Sequence, residues 1–388
     1  MLNEIFTACA ALTIPGTIEL AALTAFSLRN RRRPRPHGVP DLSGLRIVVP
    51  AHDEEEGIGS MLDDLLLKLP SGADMRQVLV VADNCSDRTA DVARSRGVRV
   101  LERHVKAKRG KGQALEEAFT QLIAHDPEAA FFVVLDADSR LGPGAIDQLF
   151  RAYGRGAEAV QASYRVADPD ASARAGLLNL AWLCFNHLRP LGRAQIGFSA
   201  GVLGNGFGLS REALLRAPYR AGSVVEDLEY HLRLLRTGVR VEFVPEARVL
   251  AKAAPSAKAE RKQRARWEGG RLRMAFEHLP RLLWDSVRGQ YRFIEPALDL
   301  MLAPLAFHSV LLALGIASGG WGNLVAAIGF SVLLAHVLVA AFAFGRGAND
   351  LQALVHAPFY VLRKLTMLPA IVKRSGRDAE WERTDRAA

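Results

Sequence analysis

The stretch AFFVVLDAD, residues 130–138, is an unbroken apolar run that stops at two carboxylates one residue apart. Near-continuous runs rich in valine and phenylalanine belong to strands covered on both faces, as in a parallel sheet. LRIVVPA (45–51), QVLVVAD (77–83) and VRVLER (98–103) repeat the pattern upstream. Between them, residues 57–69, 89–96 and 112–124 carry apolar side chains at helical spacing. Strand and helix in alternation predict an α/β fold with a Rossmann-like, mostly parallel sheet. Such sheets take ligands beyond the carboxyl ends of their strands. The polar residues fall there: His52-Asp53-Glu54 after the first run, Asp83 at the end of the second, and Asp136-Ala137-Asp138 at the end of the fourth.

Each of these signals has two readings. Asp136 and Asp138 can share a divalent cation, since Mg2+ or Mn2+ takes hard oxygens and completes its shell with substrate phosphates. Either is also a credible turn or helix-cap aspartate. Asp83, before the turn composition NCSD, can accept a hydrogen bond from a nucleobase imide or simply cap that turn. HVKAKRGKGQAL (104–115) is a basic, glycine-containing loop entering a helix, where backbone amides with Lys108, Arg109 and Lys111 suit an anion. The spacing is not that of a Walker loop. In VVEDLEYHLRLLRTG, Glu226 and Asp227 open an amphipathic helix; the helix dipole favours acids there, and either carboxylate can serve as general base toward an acceptor hydroxyl. The preceding SAGVLGNGFGLS (199–210) is rich in glycine, which lets backbone approach a ligand closely. In QRARW (263–267), Arg266 suits paired hydrogen bonds to a diphosphate and Trp267 offers a flat face to a sugar.

The ends of the chain differ from its middle. Of the 388 residues 49% are hydrophobic, concentrated at the two ends, and the formal net charge is +9. Residues 5–28 form an apolar stretch long enough to cross a bilayer, interrupted by Pro15, Gly16 and Glu19 and followed by Arg29, Arg31, Arg32, Arg33 and Arg35. That order fits an uncleaved anchor better than a signal peptide and, by the positive-inside rule, puts the next segment in the cytoplasm. Two further spans are expected at about 297–317 and 323–344, then an interfacial segment at 351–372. Glu19 and Asp299 lie in or beside apolar spans, so each should face a cavity, a neighbouring helix or the interface. The expected organisation is 1–28 membrane helix, 29–44 Pro/Arg-rich linker, 45–290 catalytic domain, 291–345 two membrane helices and 346–388 interfacial segment and tail. Cys9, Cys85 and Cys184 have no paired spacing, which fits a reducing compartment and excludes a disulfide framework. Basic charge with no nucleic-acid motif points to membrane lipids and phosphate-bearing substrates, not to nucleic acid.

In this order the motifs resemble the family 2 glycosyltransferases, in particular the membrane-integrated branch with the cellulose, hyaluronan and poly-N-acetylglucosamine synthases. The resemblance spans about residues 47–273 and implies a GT-A fold, a nucleotide-sugar donor, Mg2+ or Mn2+, and inversion at the anomeric carbon. PAHDEE at Pro50, Ala51, His52, Asp53, Glu54 and Glu55 is similar to the family's donor-binding start, with Asp53 in place of Asn. The resemblance makes Asp83 the uracil-binding aspartate and Lys111 the donor-loop lysine. It makes Asp136, Ala137 and Asp138 the DxD segment, with Asp138 the direct metal ligand. Val225-Glu226-Asp227 stands where the family has TED, so Asp227 is the implied base. Gln263, Arg266 and Trp267 match QxxRW, with Gln263 and Trp267 on the acceptor side and Arg266 at the diphosphate.

The implied activity moves a hexose or N-acetylhexosamine, with UDP as carrier, to a membrane-associated glycan or lipid-linked acceptor in cell-surface polysaccharide synthesis. The expected location is the inner (plasma) membrane with the catalytic domain cytoplasmic. A processive synthase is the alternative; three spans give little material for a translocation channel, which a homo-oligomer or a polysaccharide-export partner would supply. A nucleotidyltransferase needs a basic glycine loop after the first strand, where this chain has the acidic HDEEEG. A non-catalytic membrane scaffold is the third reading, separated from an enzyme by donor hydrolysis.

Overall fold

The computed structural model describes residues 1–29, 41–220, 222, 225–253 and 256–376. Most of the expected linker and all of the 377–388 tail lie outside the described residues. The chain forms two compact units: a sheet unit of residues 31–167 and 199–253, and a helical unit of residues 1–30, 168–198 and 254–387. Residues 168–198 and 254–290, expected within one catalytic domain, group with the apolar helices.

The sheet unit holds β1 (Leu45–Ala51), β2 (Val78–Asp83), β3 (Arg99–Arg103), β4 (Phe131–Val134), β5 (Arg140–Leu141), β6 (Ala159–Val166), β7 (Phe207–Ser210) and β8 (Val241–Ala251). Their order is β3-β2-β1-β4-β7-β6-β8-β5. β1 pairs in parallel with β2 and β4, β2 with β3, and β6 with β8. β7 runs antiparallel between β4 and β6, and β5 antiparallel on β8. Every residue of β1, β2 and β4 is buried, which is why their sequences do not alternate. Leu45, Ile47 and Val49 of β1 pack with Ile58, Leu62 and Leu65 of the following helix in one core. Each such side chain contributes about 1.5–3 kcal/mol of burial. The helix Lys111–His125 packs on β1 and β2 through Ala114, Leu115, Ala118, Phe119 and Leu122, a helical stripe.

β7 escaped the sequence pattern because FGLS is short and half its length is Gly208 and a strand-ending Ser210. Gly208 is required there, since a Cβ would collide with the ring of Phe131. β4 stops at Val134, before the Asp136 of the expected strand. Leu135 N still donates to Val48 O at 3.0 Å, and the chain then turns through Asp136 to Ser139.

In the helical unit, Leu2–Ser27 and Gly320–Phe344 are long and apolar enough to cross a bilayer. The span expected at 297–317 is broken. Helical segments over Tyr291–Met301 and Leu305–Ile316 meet at 72°. Pro304 forces its predecessor out of helical geometry, and Leu302 is already extended at φ −72°, ψ 108°. Leu305–Ile316 has 12 residues and is about 18 Å long, short of a ~30 Å hydrocarbon core.

Glu19 and Asp299 are buried against a neighbouring helix. Asp299 pairs with Arg189, with Arg193 and, at 2.7 Å, with Arg271. Glu19 lies 3.3 Å from Arg189 and 3.4 Å from Arg193, and Arg193 also pairs with Glu295. Three acids face three arginines, so the formal charges of the buried cluster balance in number. Thr17–His308 (3.3 Å) and Thr24–His336 (2.7 Å) join the first helix to the two later ones, polar contacts of the kind that hold apolar helices together.

Candidate active site

Asp83 and the Asp136–Asp138 turn follow the carboxyl ends of β2 and β4. Asp83 ends β2 and is 3% exposed. Its Oδ1 accepts from Arg103 Nη1 (2.6 Å) and Asn84 Nδ2 (2.8 Å), and its Oδ2 from Gly110 N (3.1 Å). Arg103 Nη1 also donates to Lys108 O at 2.6 Å. One buried ion pair therefore holds both the strand end and the basic loop. Gly110 sits at φ 116°, ψ 164°, a conformation that a Cβ disfavours, and the helix Lys111–His125 starts immediately after it.

Pro50 and Ala51 are buried at the end of β1. His52 Nδ1 donates to Asp83 O (2.6 Å), with the tautomer set by that carbonyl acceptor. Asp53, at φ 51°, accepts Ser86 N at 2.7 Å, and Glu54 N donates to Thr89 Oγ1 at 2.7 Å. The HDEEEG segment is thus laced to the NCSDRT turn. His52, Asp53 and Cys85 place one ligand atom each within 4.8 Å of one another, as do Glu19, Glu295 and Asp299; these are the groups of three or more such side chains among the described residues. Neither includes the Asp136/Asp138 pair. Asp53 and Cys85 are already engaged, with Asp53 N donating to Cys85 Sγ at 3.4 Å. The second group is neutralised by arginines.

Lys111, the first residue of its helix, reaches across to the DxD turn: its Nζ pairs with Asp136 Oδ1 and donates to Gly204 O at 2.5 Å. Asp136 N donates to Asn205 Oδ1 (3.1 Å), and Asn205 Nδ2 to Ser139 Oγ (2.8 Å). Ala137 is buried, Asp136 half-buried and Asp138 exposed. Two carboxylates in one turn are hard oxygen donors, and a Mg2+ or Mn2+ ion that shares its shell with phosphates needs few protein ligands, so the donor set fits such an ion.

Glu226 and Asp227 open the helix Glu226–Arg236, with Glu229 in the same first turn, where the helix dipole favours acids. Asp227 Oδ1 accepts from Leu228 N at 2.9 Å. Its other oxygen faces the glycine-rich loop: a Cβ on Gly204, at φ +80°, would stand 3.2 Å from Asp227 Oδ2. Gly204 therefore accepts from Lys111 through its carbonyl and leaves open, beside Asp227, the space that a Cβ would crowd. Tyr219 lies behind, where burial, then the charges of Glu226 and Asp227, push its phenol well above the ordinary range.

The structure brings Asp83, Lys111, Asp136 and Asp227 into one network of loops within the sheet unit. Gln263, Arg266 and Trp267 stand at i, i+3 and i+4 on the helix Ala257–Val287 of the helical unit, so they share a helix face. Gln263 and Arg266 are half-buried and Trp267 is 39% exposed. That helix is fixed inside its own unit by Glu268–Lys364 (2.6 Å) and Glu260–Arg363 (3.0 Å). The sequence reading missed Arg103, Asn205 and Gln161. Gln161 did not stand out because its strand, AVQASYRV, also carries Ser163 and Arg165.

A family model described as "Glycosyltransferase like family 2" matches residues 41–270. "Probable glycosyltransferase YdaM" of Bacillus subtilis (strain 168) is 25% identical over 239 residues, 59% of this chain and 56% of that protein, so the chain spans little more than half the length of this relative. The mannosyltransferase PcManGT of Pyrobaculum calidifontis, solved with GDP-Man and Mn2+, superposes with a TM-score of 0.53 at 17% identity, covering 93% of this chain and 99% of that one. At that identity the likeness is one of fold, a GT-A-like curled α/β sheet. With the family model covering both the strand-end acids and the QxxRW segment, the chain belongs to the family 2 glycosyltransferases, enzymes that draw a sugar from a nucleotide-sugar donor.

Proposed function

We propose that this chain is a membrane-integrated, inverting hexosyltransferase that moves one sugar from a nucleoside-diphosphate hexose to a glycan or lipid-linked acceptor. The observation that supports it best is Gly204, whose carbonyl accepts from Lys111, the partner of Asp136, and on which a Cβ would stand 3.2 Å from Asp227 Oδ2. A donor diphosphate beside the Lys111–Asp136 pair and an acceptor hydroxyl beside Asp227 would be in reach of one another. In this reading Asp227 takes the proton of the acceptor hydroxyl, whose oxygen bonds to the anomeric carbon from the face opposite the diphosphate. The bond from that carbon to the diphosphate oxygen breaks, and the nucleoside diphosphate departs with the electron pair.

Asp138 and Asp136 would hold Mg2+ or Mn2+, which supplies charge stabilisation at the diphosphate when bound. Lys111 neutralises Asp136 and holds the turn. Pro50, Ala51, His52, Glu54 and Asp83 form the base side of the donor site, and UDP-hexose or UDP-N-acetylhexosamine is the expected donor; PcManGT, solved with GDP-Man, makes GDP-mannose the donor to test beside it. Arg266 is assigned to the diphosphate, and Gln263 and Trp267 to the acceptor. Glu226 orders the start of the base helix.

Leu2–Ser27 and Gly320–Phe344 support membrane integration, and the arginines that follow residue 28 support a cytoplasmic catalytic unit. Single transfer in cell-surface polysaccharide synthesis fits the small number of candidate spans; a processive synthase would need a homo-oligomer or an export partner. Detergent-solubilised protein is tested with a panel of UDP- and GDP-sugars and Mn2+ or Mg2+, scoring nucleotide release and product mass. Metal-dependent release from one donor is expected. Folded protein that releases nucleotide from none would overturn the reading.

A further inference from the structure

Gln161 lies in β6 with no exposed surface. Its Nε2 donates to Asn205 O (2.8 Å), Ala162 O (3.0 Å) and Gly206 O (3.3 Å), and its Oε1 accepts from Leu203 N (2.9 Å). A single buried amide thus grips residues 203, 205 and 206 from behind. The main chain adds Gly206 N to Val134 O (3.0 Å) and Ala162 N to Gly206 O (2.7 Å). Gly204 and Gly206 both take positive φ, so the loop has little conformational preference of its own to hold this shape.

That loop is the piece between the two halves of the proposed chemistry. Asn205 fixes the backbone of Asp136, Gly204 O receives Lys111, and a Cβ on Gly204 would stand 3.2 Å from Asp227 Oδ2, so the loop lies beside that carboxylate. We propose that Gln161 is a positioning residue for transfer: through the 203–206 loop it sets the spacing between the Asp136 turn and the Asp227 carboxylate. It touches neither donor nor acceptor. Asp83, Arg103 and the 104–110 loop, which form the nucleotide side, make no contact with it among the described hydrogen bonds. A loosened loop should therefore spoil transfer while leaving nucleotide binding nearly intact. This inference rests on the reading of Asp227 as base.

The test replaces Gln161 with methionine, which keeps length and volume but removes the amide, and runs Asp227→Asn beside it. UDP and GDP binding is measured by calorimetry without added metal, so that it reports the Asp83 side alone, and sugar transfer with the donor and metal that the panel identifies. The expected result for Gln161→Met is nucleotide affinity within threefold of wild type, kcat for transfer down at least tenfold, and a lower ratio of transfer to donor hydrolysis. Transfer within threefold of wild type overturns the inference, as does a parallel fall of binding and transfer, which is the mark of general unfolding. Gln161→Glu keeps the acceptor oxygen but turns a donor toward three carbonyls into an acceptor; it should be at least as impaired in kcat, and full activity there also overturns the inference. Loss of transfer in Asp227→Asn with Gln161→Met unaffected sinks the inference alone. Normal transfer in Asp227→Asn sinks the functional reading and the inference with it.

Discussion

Arg103 and Asp83 form an ion pair 2.6 Å long with both side chains at least nine-tenths buried, and the same guanidinium nitrogen ties down Lys108 O. The strand end meant for a nucleobase and the loop meant for phosphates are one hydrogen-bonded object. Removing one partner of a buried pair leaves the other charge uncompensated, which costs about 3–5 kcal/mol. Arg103→Met should lower the denaturation midpoint accordingly and weaken UDP or GDP binding. Arg103→Met combined with Asp83→Asn should lose less than the sum of the single changes; strict additivity in a double-mutant cycle would show that the pair is not coupled.

Gly204→Ala adds a methyl 3.2 Å from Asp227 Oδ2 at a backbone φ of +80°. The strain is roughly 1–3 kcal/mol, and relief requires the loop or the carboxylate to move. Transfer should fall at least tenfold with donor affinity little changed. Titration calorimetry and initial rates check the split; an alanine variant with normal kcat would mean that the loop and the acid do not set each other's position.

Asp126 links the start of β1 to the end of the helix Lys111–His125: Arg46 grips both its oxygens, at 2.7 and 2.8 Å, and Arg99 adds 2.9 Å. The Arg46 hydrogen bonds, more than any other favourable contact, hold its carboxyl at about 2, below the ordinary 3.8. A depressed folded value means stability that is present above about pH 4 and drains away as pH falls toward 2. Partial exposure limits the effect to roughly 1–2 kcal/mol. Asp126→Asn should be less stable than wild type near neutrality, with the gap closing across that acid window in denaturant titrations. A gap that stays constant from neutral pH to pH 2 would refute the linkage.

In the helical unit, Glu19→Gln removes one of three carboxylates facing Arg189, Arg193 and Arg271. An unbalanced buried guanidinium costs about 3–5 kcal/mol. The variant should show a lower melting temperature in detergent and a larger aggregated fraction by size-exclusion chromatography. Glu19→Asp, which keeps the charge, should recover part of the loss. Wild-type behaviour of Glu19→Gln would mean that the cluster tolerates an odd charge.

Three of the four strands read in advance are buried on both faces, and burial left an uninterrupted apolar signature in LRIVVPA, QVLVVAD and FFVV; the fourth, VRVLER, is the edge strand β3 and is largely exposed or half-buried. The acids at their ends were legible for the same reason: a carboxylate that stops an apolar run has to sit at a sheet edge. What stayed hidden depends on contacts distant in sequence. Asn205 in a glycine-rich loop gives no hint that it binds Asp136, and Gln161 shows its role only once β7 is seen antiparallel between β4 and β6. The break at residues 302–304 was overlooked because hydropathy averages across a proline that the helix cannot.

The chain leaves the sheet after β6, makes a helical excursion over residues 168–198, and returns to lay down β7. That excursion carries Arg189 and Arg193, while their carboxylate partners Glu19, Glu295 and Asp299 all fall outside the family-matched stretch 41–270. A fragment cut to that stretch for soluble expression would thus carry two orphaned cations on an apolar surface built to be enclosed. By its ion pairs, the matched stretch is nearly all of the sheet unit carrying an incomplete piece of the helical one.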